Sequence, residues 1–250
     1  AELERFGITA NDSAGKPLSN TAPGTLLAAA LTVALEPGDP VALLGLLKHP
    51  LCRLGRPAIA ARNAARAIEL ISIRGTVDVA DGARLGEIVA RRIDQIESLP
   101  AGEIGRLLTR PARNVRRAEY EAARLFAQDF AAALQPLAAL RGTEPREIAD
   151  YALAVTTALE MLARDETGAP TELYAGENGA ALAAFLSELV AAPRTGFSFP
   201  AEELPDAMEA LSAGVTVKPR GGLSARAFVL GTLEARLEGI DTAILGSLNE

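Results

Sequence analysis

Apolar residues recur at helical spacing along the first fifty residues and predict two helices. The first begins at Thr21 and ends at residues 36–38, where proline and glycine interrupt the pattern. The second begins at Asp39, a cap residue followed by proline, and ends before Pro50, because proline disfavours helical geometry in the residue before it. This second segment is apolar nearly all round, which predicts that it is buried.

Helical spacing continues from residue 51 to about residue 204, with glycine and proline marking the breaks. The predicted helices cover roughly residues 57–72, 81–98, 117–140, 144–164, 176–191 and 201–213. In the longest one, five residues are predicted to share roughly one face: Tyr120, Leu125, Phe126, Phe130 and Leu134. No repeat of fixed period is present, which argues against a helical solenoid.

The pattern differs at both ends of the chain. Residues 6–9 predict a short strand, and residues 11–15 have the composition of a turn. Three further strands are predicted after Gly214, with a short helical crossover between the last two: residues 215–217, 227–230 and 242–245. Strand–helix–strand units build parallel sheets, but two strands alone are not stable. The remaining strands are expected from the N-terminal segment or from sequence outside this chain.

Composition favours packed helices over an aromatic-rich sandwich. Of the 250 residues, 49% are hydrophobic but only 4% are aromatic, so the predicted core is Leu, Ala, Val and Ile. The formal net charge of −7 argues against an anionic membrane surface as partner. It also confines any DNA contact to a local patch. No apolar run reaches the ~18 residues that a membrane span needs.

Cysteine and histidine, which supply many nucleophiles and metal ligands, occur only once each in the sequence. Cys52 and His49 are the only residues of their kinds, which excludes an internal disulfide, a thiolate metal cluster and a histidine-built zinc site. Residues 14–17 come nearest to a phosphate-binding loop, but they lack its first glycine, and Pro17 follows the lysine. We therefore predict no cofactor, no metal and no catalytic residue. The scarcity of cysteine fits a cytoplasmic protein, and the two termini suggest an internal piece of a larger one.

Charged groups offer three kinds of candidate. Three acidic pairs lie at predicted loops or helix starts, where capping favours acids: Asp78 with Asp81, Asp165 with Glu166, and Glu202 with Glu203. A second group is a run of arginines between residues 106 and 124, and its interspersed glutamates favour a solvated, salt-bridged face. The third group flanks or follows the glycine-rich loop at residues 221–222, near predicted sheet ends where ligands often bind. These predicted nucleic-acid-binding residues are Lys218, Arg220, Arg226 and Arg236. A plain surface loop is the alternative.

Two stretches resemble a known family. Near the N-terminus they are Phe6-Gly7-Ile8, Asn11 to Leu18, Thr21-Ala22-Pro23-Gly24 and Pro40 to Leu51, the last containing Leu-Leu-Lys-His-Pro-Leu. Near the C-terminus they are Gly231 to Leu237 and Asp241 to Glu250. Together they resemble AddB, in its alphaproteobacterial form, the subunit of bacterial AddAB helicase-nucleases that carries an inactivated superfamily I helicase. About 90 residues carry this resemblance, and the middle of the chain shares only its helical character.

The resemblance implies a mainly α chain with a small α/β part. Residues 1–50 and 205–250 would form a split, partial RecA-like second motor domain with a partial parallel sheet, interrupted by a helical insertion at residues 51–204. Residues 230–238 lack the His and Lys-Gly of active motors. The implied function is a non-catalytic, helicase-like scaffold of the DNA channel in double-strand-break repair and recombination. Its implied partners are DNA and a motor/nuclease subunit, with no membrane.

Two other functions stay open from the sequence. The acidity and the Ala/Leu-rich middle fit a helical protein–protein interaction module without a nucleic-acid role. The unassigned acids leave room for a helical enzyme, which a deep pocket lined by several of them would favour.

Overall fold

The computed structural model of the chain is mainly helical and divides into two compact units. It describes residues 5–6, 10–12, 15–74, 80–100, 103, 107–218 and 227–229, together with residues 236, 239 and 242. One unit comprises residues 17–215, and the other comprises residues 1–16 with residues 216–250. The segments 17–50 and 205–215, which the resemblance places in the split motor-like domain, belong to the helical unit.

The described residues of the helical unit contain eight α-helices, which agree closely with the predicted ones. They are α1 (Ala22–Leu35), α2 (Pro40–Leu47), α3 (Ala58–Ile68), α4 (Leu85–Ser98), α5 (Arg117–Ala138), α6 (Ile148–Ala163), α7 (Gly176–Val190) and α8 (Leu204–Ser212). Helix α3 continues into a π-helix at Glu69–Ile73, and single 3-10 turns precede α1, α4, α5 and α8.

Side-chain caps fix the starts of the first two helices where the sequence predicts them. The Gly24 backbone N–H donates to Thr21 Oγ1 at 3.2 Å, and the Val41 N–H donates to Asp39 Oδ1 at 2.7 Å. The predicted burial of α2 is only partly right. Leu43, Leu46 and Leu47 are buried, but Val41 is 75% exposed, because only one side of this short helix meets the rest of the unit.

Helix α5 lies at the centre of the helical unit and packs against α1, α3, α4 and α6. Phe126, Phe130 and Leu134 are completely buried. The prediction that Leu125 shares their face is wrong, since 47% of it is exposed. A helix advances about 100° per residue, so Leu125 is rotated out of the stripe that Phe126 occupies.

Helix α6 begins at Ile148, four residues later than predicted. Arg146 is instead held in an antiparallel bridge, where its N–H donates to the Phe199 carbonyl at 3.1 Å and its own carbonyl accepts from the Phe199 N–H at 3.1 Å. The buried Tyr151 hydroxyl also donates to the Phe199 carbonyl, at 2.6 Å. These bonds satisfy the backbone N–H and carbonyl groups of Arg146 without a helix, and α6 therefore begins only after this residue.

The second unit contains a parallel strand pair. Strands β1 (Ala10–Asp12) and β4 (Ala227–Val229) pair in parallel, with Asn11 opposite Phe228. Two further short strands pair with each other, β2 (Lys16–Pro17) and β3 (Thr216–Val217). The whole helical unit lies between β1 and β4 in sequence, and it therefore supplies the long connection that parallel strands require.

The N-terminal predictions need correction. Asn11 and Asp12 lie in strand β1 rather than in a turn, because pairing with β4 overrides the turn preference of these residue types. Phe6 lies in a turn, and the rest of the strand predicted at 6–9 is outside the described residues. Most of the strand predicted at 242–245 and most of the crossover before it also lie outside them, and the described Thr242 is not in a strand.

Candidate nucleic-acid interface

Two of the four predicted nucleic-acid-binding residues are described, and both are exposed. Lys218 follows strand β3, and Arg236 lies in a 3-10 segment. Gly15 approaches the backbone of β3 closely: its φ is +69°, and a Cβ there would lie 2.6 Å from the Val217 carbonyl oxygen and 3.2 Å from Lys218 Cγ. A side chain at position 15 would therefore displace Lys218 and the end of β3. Arg220 and Arg226 lie outside the described residues.

The arginines of the run that lie at the start of α5 and within it are ion-paired with acids, and Arg106 lies outside the described residues. Arg116 pairs with Glu119 at 3.3 Å, Arg117 with Glu97 at 3.2 Å, and Arg124 with Asp94 at 2.7 Å. This arrangement confirms the predicted salt-bridged face. Ion pairs of this exposed kind contribute at most about 1 kcal/mol each, and they leave these guanidinium groups poorly placed to bind phosphate.

His49 ties the end of α2 to α1 as a neutral imidazole. Its Nδ1 accepts from the Leu51 N–H at 3.2 Å, and its Nε2 lies 3.0 Å from Thr25 Oγ1. An acceptor at Nδ1 places the proton on Nε2, which then donates to the threonine hydroxyl. Burial lowers the pKa of His49 below its ordinary value. His49 therefore serves the end of α2 with a specific geometry.

We expect this histidine to make stability depend on pH. Because the pKa of His49 is lower in the folded state, its stabilising contribution is complete above about pH 6.5 and is lost as pH falls through the folded pKa. The free energy of unfolding should decline over that range by no more than about 1.4 kcal/mol per pH unit. Urea unfolding between pH 5 and 7.5 measures this free energy for the wild type and for His49→Gln. Only in the variant should the free energy of unfolding stay constant over this pH range. An NMR titration of this single histidine giving a pKa above 6.5 would contradict it.

Cys52 is buried. Burial raises the pKa of its thiol to about 12, so the reactive thiolate is not available near neutral pH. The contact between Cys52 and His49 is a backbone one, from the Cys52 N–H to the His49 carbonyl at 2.9 Å. Among the described residues, no group of His, Cys, Asp and Glu could hold a metal ion.

One member of each of two acidic pairs, Asp81 and Asp165, has a clear structural role, and Asp78 lies outside the described residues. Asp81 Oδ1 accepts from the Ala83 N–H at 3.0 Å, and its carboxylate binds Arg141 through two contacts of 3.0 and 3.1 Å. Burial raises the pKa of Asp81, but the hydrogen bonds and charge of Arg141 outweigh it and lower that pKa overall. Asp165 closes its own turn by accepting from Thr167 and Ala169.

A cleft of about 320 Å³ between the α5 and α6 regions is lined in part by Asp129, Asp165 and Glu166. Asp129 is ion-paired with Arg56 at 2.6 Å. Hydrogen bonds from Thr167 and Thr171 lower the pKa of Asp165 to about 2, so it cannot serve as a general acid or base near neutral pH. This cleft therefore gives little support to the helical-enzyme hypothesis.

A basic cluster near α3 was missed by the sequence reasoning. The Glu69 carboxylate is 7% exposed and pairs with both Lys48 and Arg74, the latter through Nε at 2.8 Å. Burial tends to raise the pKa of Glu69, but hydrogen bonds from these two cations lower it overall. Arg62 and Arg66 precede it on the same helix and are exposed. The four-residue spacing of Arg62 and Arg66 could have indicated a basic helix face, but nothing in the sequence linked these two arginines to Lys48.

Comparison with known proteins adds no identification. No family model, curated protein or solved structure matches the chain significantly. Within the described part of the chain, no helix is long and apolar enough to cross a membrane.

Proposed function

We propose that this chain is a non-catalytic, helicase-like region of a double-strand-break repair helicase-nuclease subunit, where it shapes a DNA channel and holds a motor subunit. The observation that carries the proposal is the parallel pairing of Ala10–Asp12 with Ala227–Val229. These strands lie in or beside the two segments that resemble AddB, and they are separated by more than two hundred residues of sequence.

The topology supports this reading of the resemblance. A motor domain of this class is built on parallel strands, and a helical insertion between neighbouring strands leaves such a sheet intact. Here residues 1–16 and 216–250 form one unit, and a compact helical unit interrupts them. An unrelated helical module has no need to bring its two termini together as adjacent parallel strands.

The segment around Lys16 supports a role without ATP hydrolysis. Lys16 and Pro17 form a strand paired with β3, and a 3-10 turn at Leu18–Asn20 follows. A phosphate-binding loop instead needs successive free backbone N–H groups leading into a helix. Proline has no N–H to contribute.

The second candidate function, a protein–protein interaction module, is favoured by one surface. A groove of about 460 Å³ between α6 and α7 has apolar walls, and two of its residues are exposed, Leu153 by 61% and Val190 by 42%. This groove is compatible with the first proposal as well, since a scaffold also binds a partner.

Binding of DNA distinguishes the two candidates. Fluorescence anisotropy of the chain with single-stranded and duplex DNA should show binding that weakens steeply with salt. Changing Lys218, Arg220 and Arg226 to Ala should make the logarithmic salt slope shallower by roughly 0.7–0.9 for each phosphate interaction that the substitutions remove.

A matched control removes the same charge from exposed arginines that are ion-paired: Arg84→Ala, Arg117→Ala and Arg194→Ala. This control should keep the wild-type slope. Absence of DNA binding at low salt would favour the interaction module and remove the DNA-contacting role of this chain.

A further inference from the structure

Helix α3 exposes a stripe that carries unpaired positive charge. Ile59, Arg62, Asn63 and Arg66 are exposed at the i, i+3, i+4 and i+7 spacing of one helix face. Within the described part of the chain, neither Arg62 nor Arg66 makes an ion pair within 4 Å or a side-chain hydrogen bond. Two like charges at i and i+4 repel each other, so the helix gains nothing from this placement by itself.

The positive charge continues past the end of α3. Glu69 lies three residues after Arg66, and its carboxylate forms ion pairs with both Lys48 and Arg74. The two cations remain 45% and 59% exposed, whereas the carboxylate is buried beneath them. The resulting surface, Lys48 with Arg62, Arg66 and Arg74, is called the basic ridge below.

The basic ridge gathers four cations in a chain whose formal net charge is −7. Several exposed arginines elsewhere face an acid, such as Arg117 with Glu97 and Arg194 with Asp150. Near the ridge, Glu119 accepts a hydrogen bond from the Arg116 N–H, which is the main cause of its lowered pKa. The charge of Arg66 makes a smaller contribution to lowering that pKa. A row of cations in excess of its carboxylates is the electrostatic requirement for binding a polyanion.

We propose that the basic ridge binds the phosphate backbone of a single nucleic-acid strand. Arginine guanidinium groups bind phosphate oxygens in bidentate fashion. Helix rise places Arg62, Arg66 and the Glu69 position along a line of about 10 Å, a narrow track suited to one strand. Ile59 and Asn63 lie beside it and are free to contact unpaired bases. The inference rests on the proposed function only in taking the strand to be DNA.

The test compares two double variants in anisotropy titrations across a salt series, using labelled oligothymidylate as the single strand. Arg62→Gln with Arg66→Gln should make the logarithmic salt slope shallower by roughly 1.4, since each single-strand phosphate contact contributes about 0.7. Arg117→Gln with Arg194→Gln changes the net charge equally and should leave the slope at its wild-type value. Circular dichroism verifies that both variants keep their helices.

The outcomes separate this inference from the proposed function. A shallower slope in the ridge variant alone supports the ridge, whatever the Lys218, Arg220 and Arg226 variant does. An unchanged slope in the ridge variant overturns the inference. This holds even if the variant of Lys218, Arg220 and Arg226 binds DNA more weakly, a result that would uphold the DNA-contacting role of the chain. Equal reductions in the ridge and control variants also overturn it, because net charge would then explain the effect. Ridge-dependent binding that is tighter to the matching duplex overturns the assignment to a single strand.

Discussion

Replacing Phe130 with Ala is expected to lower the free energy of unfolding by about 3–5 kcal/mol. Phe130 is completely buried in α5, which packs against four other helices. Truncation removes a ring from the contact between α5 and the turn before α4, where Phe130 Cε1 lies 3.4 Å from the position that a Cβ on Gly82 would take. The packed neighbours cannot all move in to fill the space. Urea unfolding followed by circular dichroism measures the decrease in stability.

Leu125→Ala is the matched control for that experiment. It lies on the same helix five residues away, but 47% of its side chain is exposed. Its truncation therefore removes less buried surface and leaves no enclosed cavity, and we expect a decrease under about 1 kcal/mol. Similar decreases for the two variants would contradict the central position assigned to the Phe130 face.

Gly24→Ala is expected to destabilise the protein by about 3 kcal/mol, the upper end of ordinary overpacking. A Cβ at position 24 would lie 1.9 Å from the Leu18 carbonyl oxygen. That oxygen accepts from the Thr21 N–H at 3.0 Å and from the Thr21 hydroxyl at 2.6 Å. The added methyl group must displace backbone rather than a flexible side chain. It would therefore disturb the cap of α1 together with the buried Leu18.

Gly45→Ala is the same chemical change, but we expect it to stabilise the protein. Gly45 is an exposed residue within α2, and nothing lies within 4 Å of the position of its Cβ. Alanine favours a helix over glycine by roughly 0.5–1 kcal/mol, so this variant should be more stable than the wild type by that amount. The same urea titration measures both substitutions. A destabilised Gly45 variant would contradict the open space at that position, and a neutral Gly24 variant would contradict the close contact between Leu18 and α1.

Local signals were sufficient to predict most helices of the chain. Thr21 and Asp39 cap helices where their side chains accept backbone N–H groups, because capping depends on residues only two or three positions away. The boundary of α6 was missed because its competitor is distant in sequence: Arg146 bonds with Phe199, more than fifty residues along the chain. Asn11 and Asp12 of strand β1 were predicted as part of a turn for the same reason, since the partner strand lies beyond residue 226.

The candidate interface could likewise be predicted where it depends on nearby residues, but not where it depends on residues distant in sequence. Spacing along one helix places Arg62 and Arg66 on one face, and the glutamates interspersed with the arginine run predict the salt bridge between Arg116 and Glu119. The position of Lys48 beside Glu69 could not be predicted from the sequence, because the two belong to different elements.

The sequence by itself determined the helical character of this protein, its scarcity of catalytic residue types and most of its caps, since these depend on composition and on neighbours within a few residues. Only the tertiary structure decided the parallel pairing of the distant strands, the exposure of Leu125 and Val41, and the grouping of Lys48 and Arg74 on Glu69. Those features depend on which surfaces meet when the helices pack, and many sequence-distant contacts contribute to that choice together.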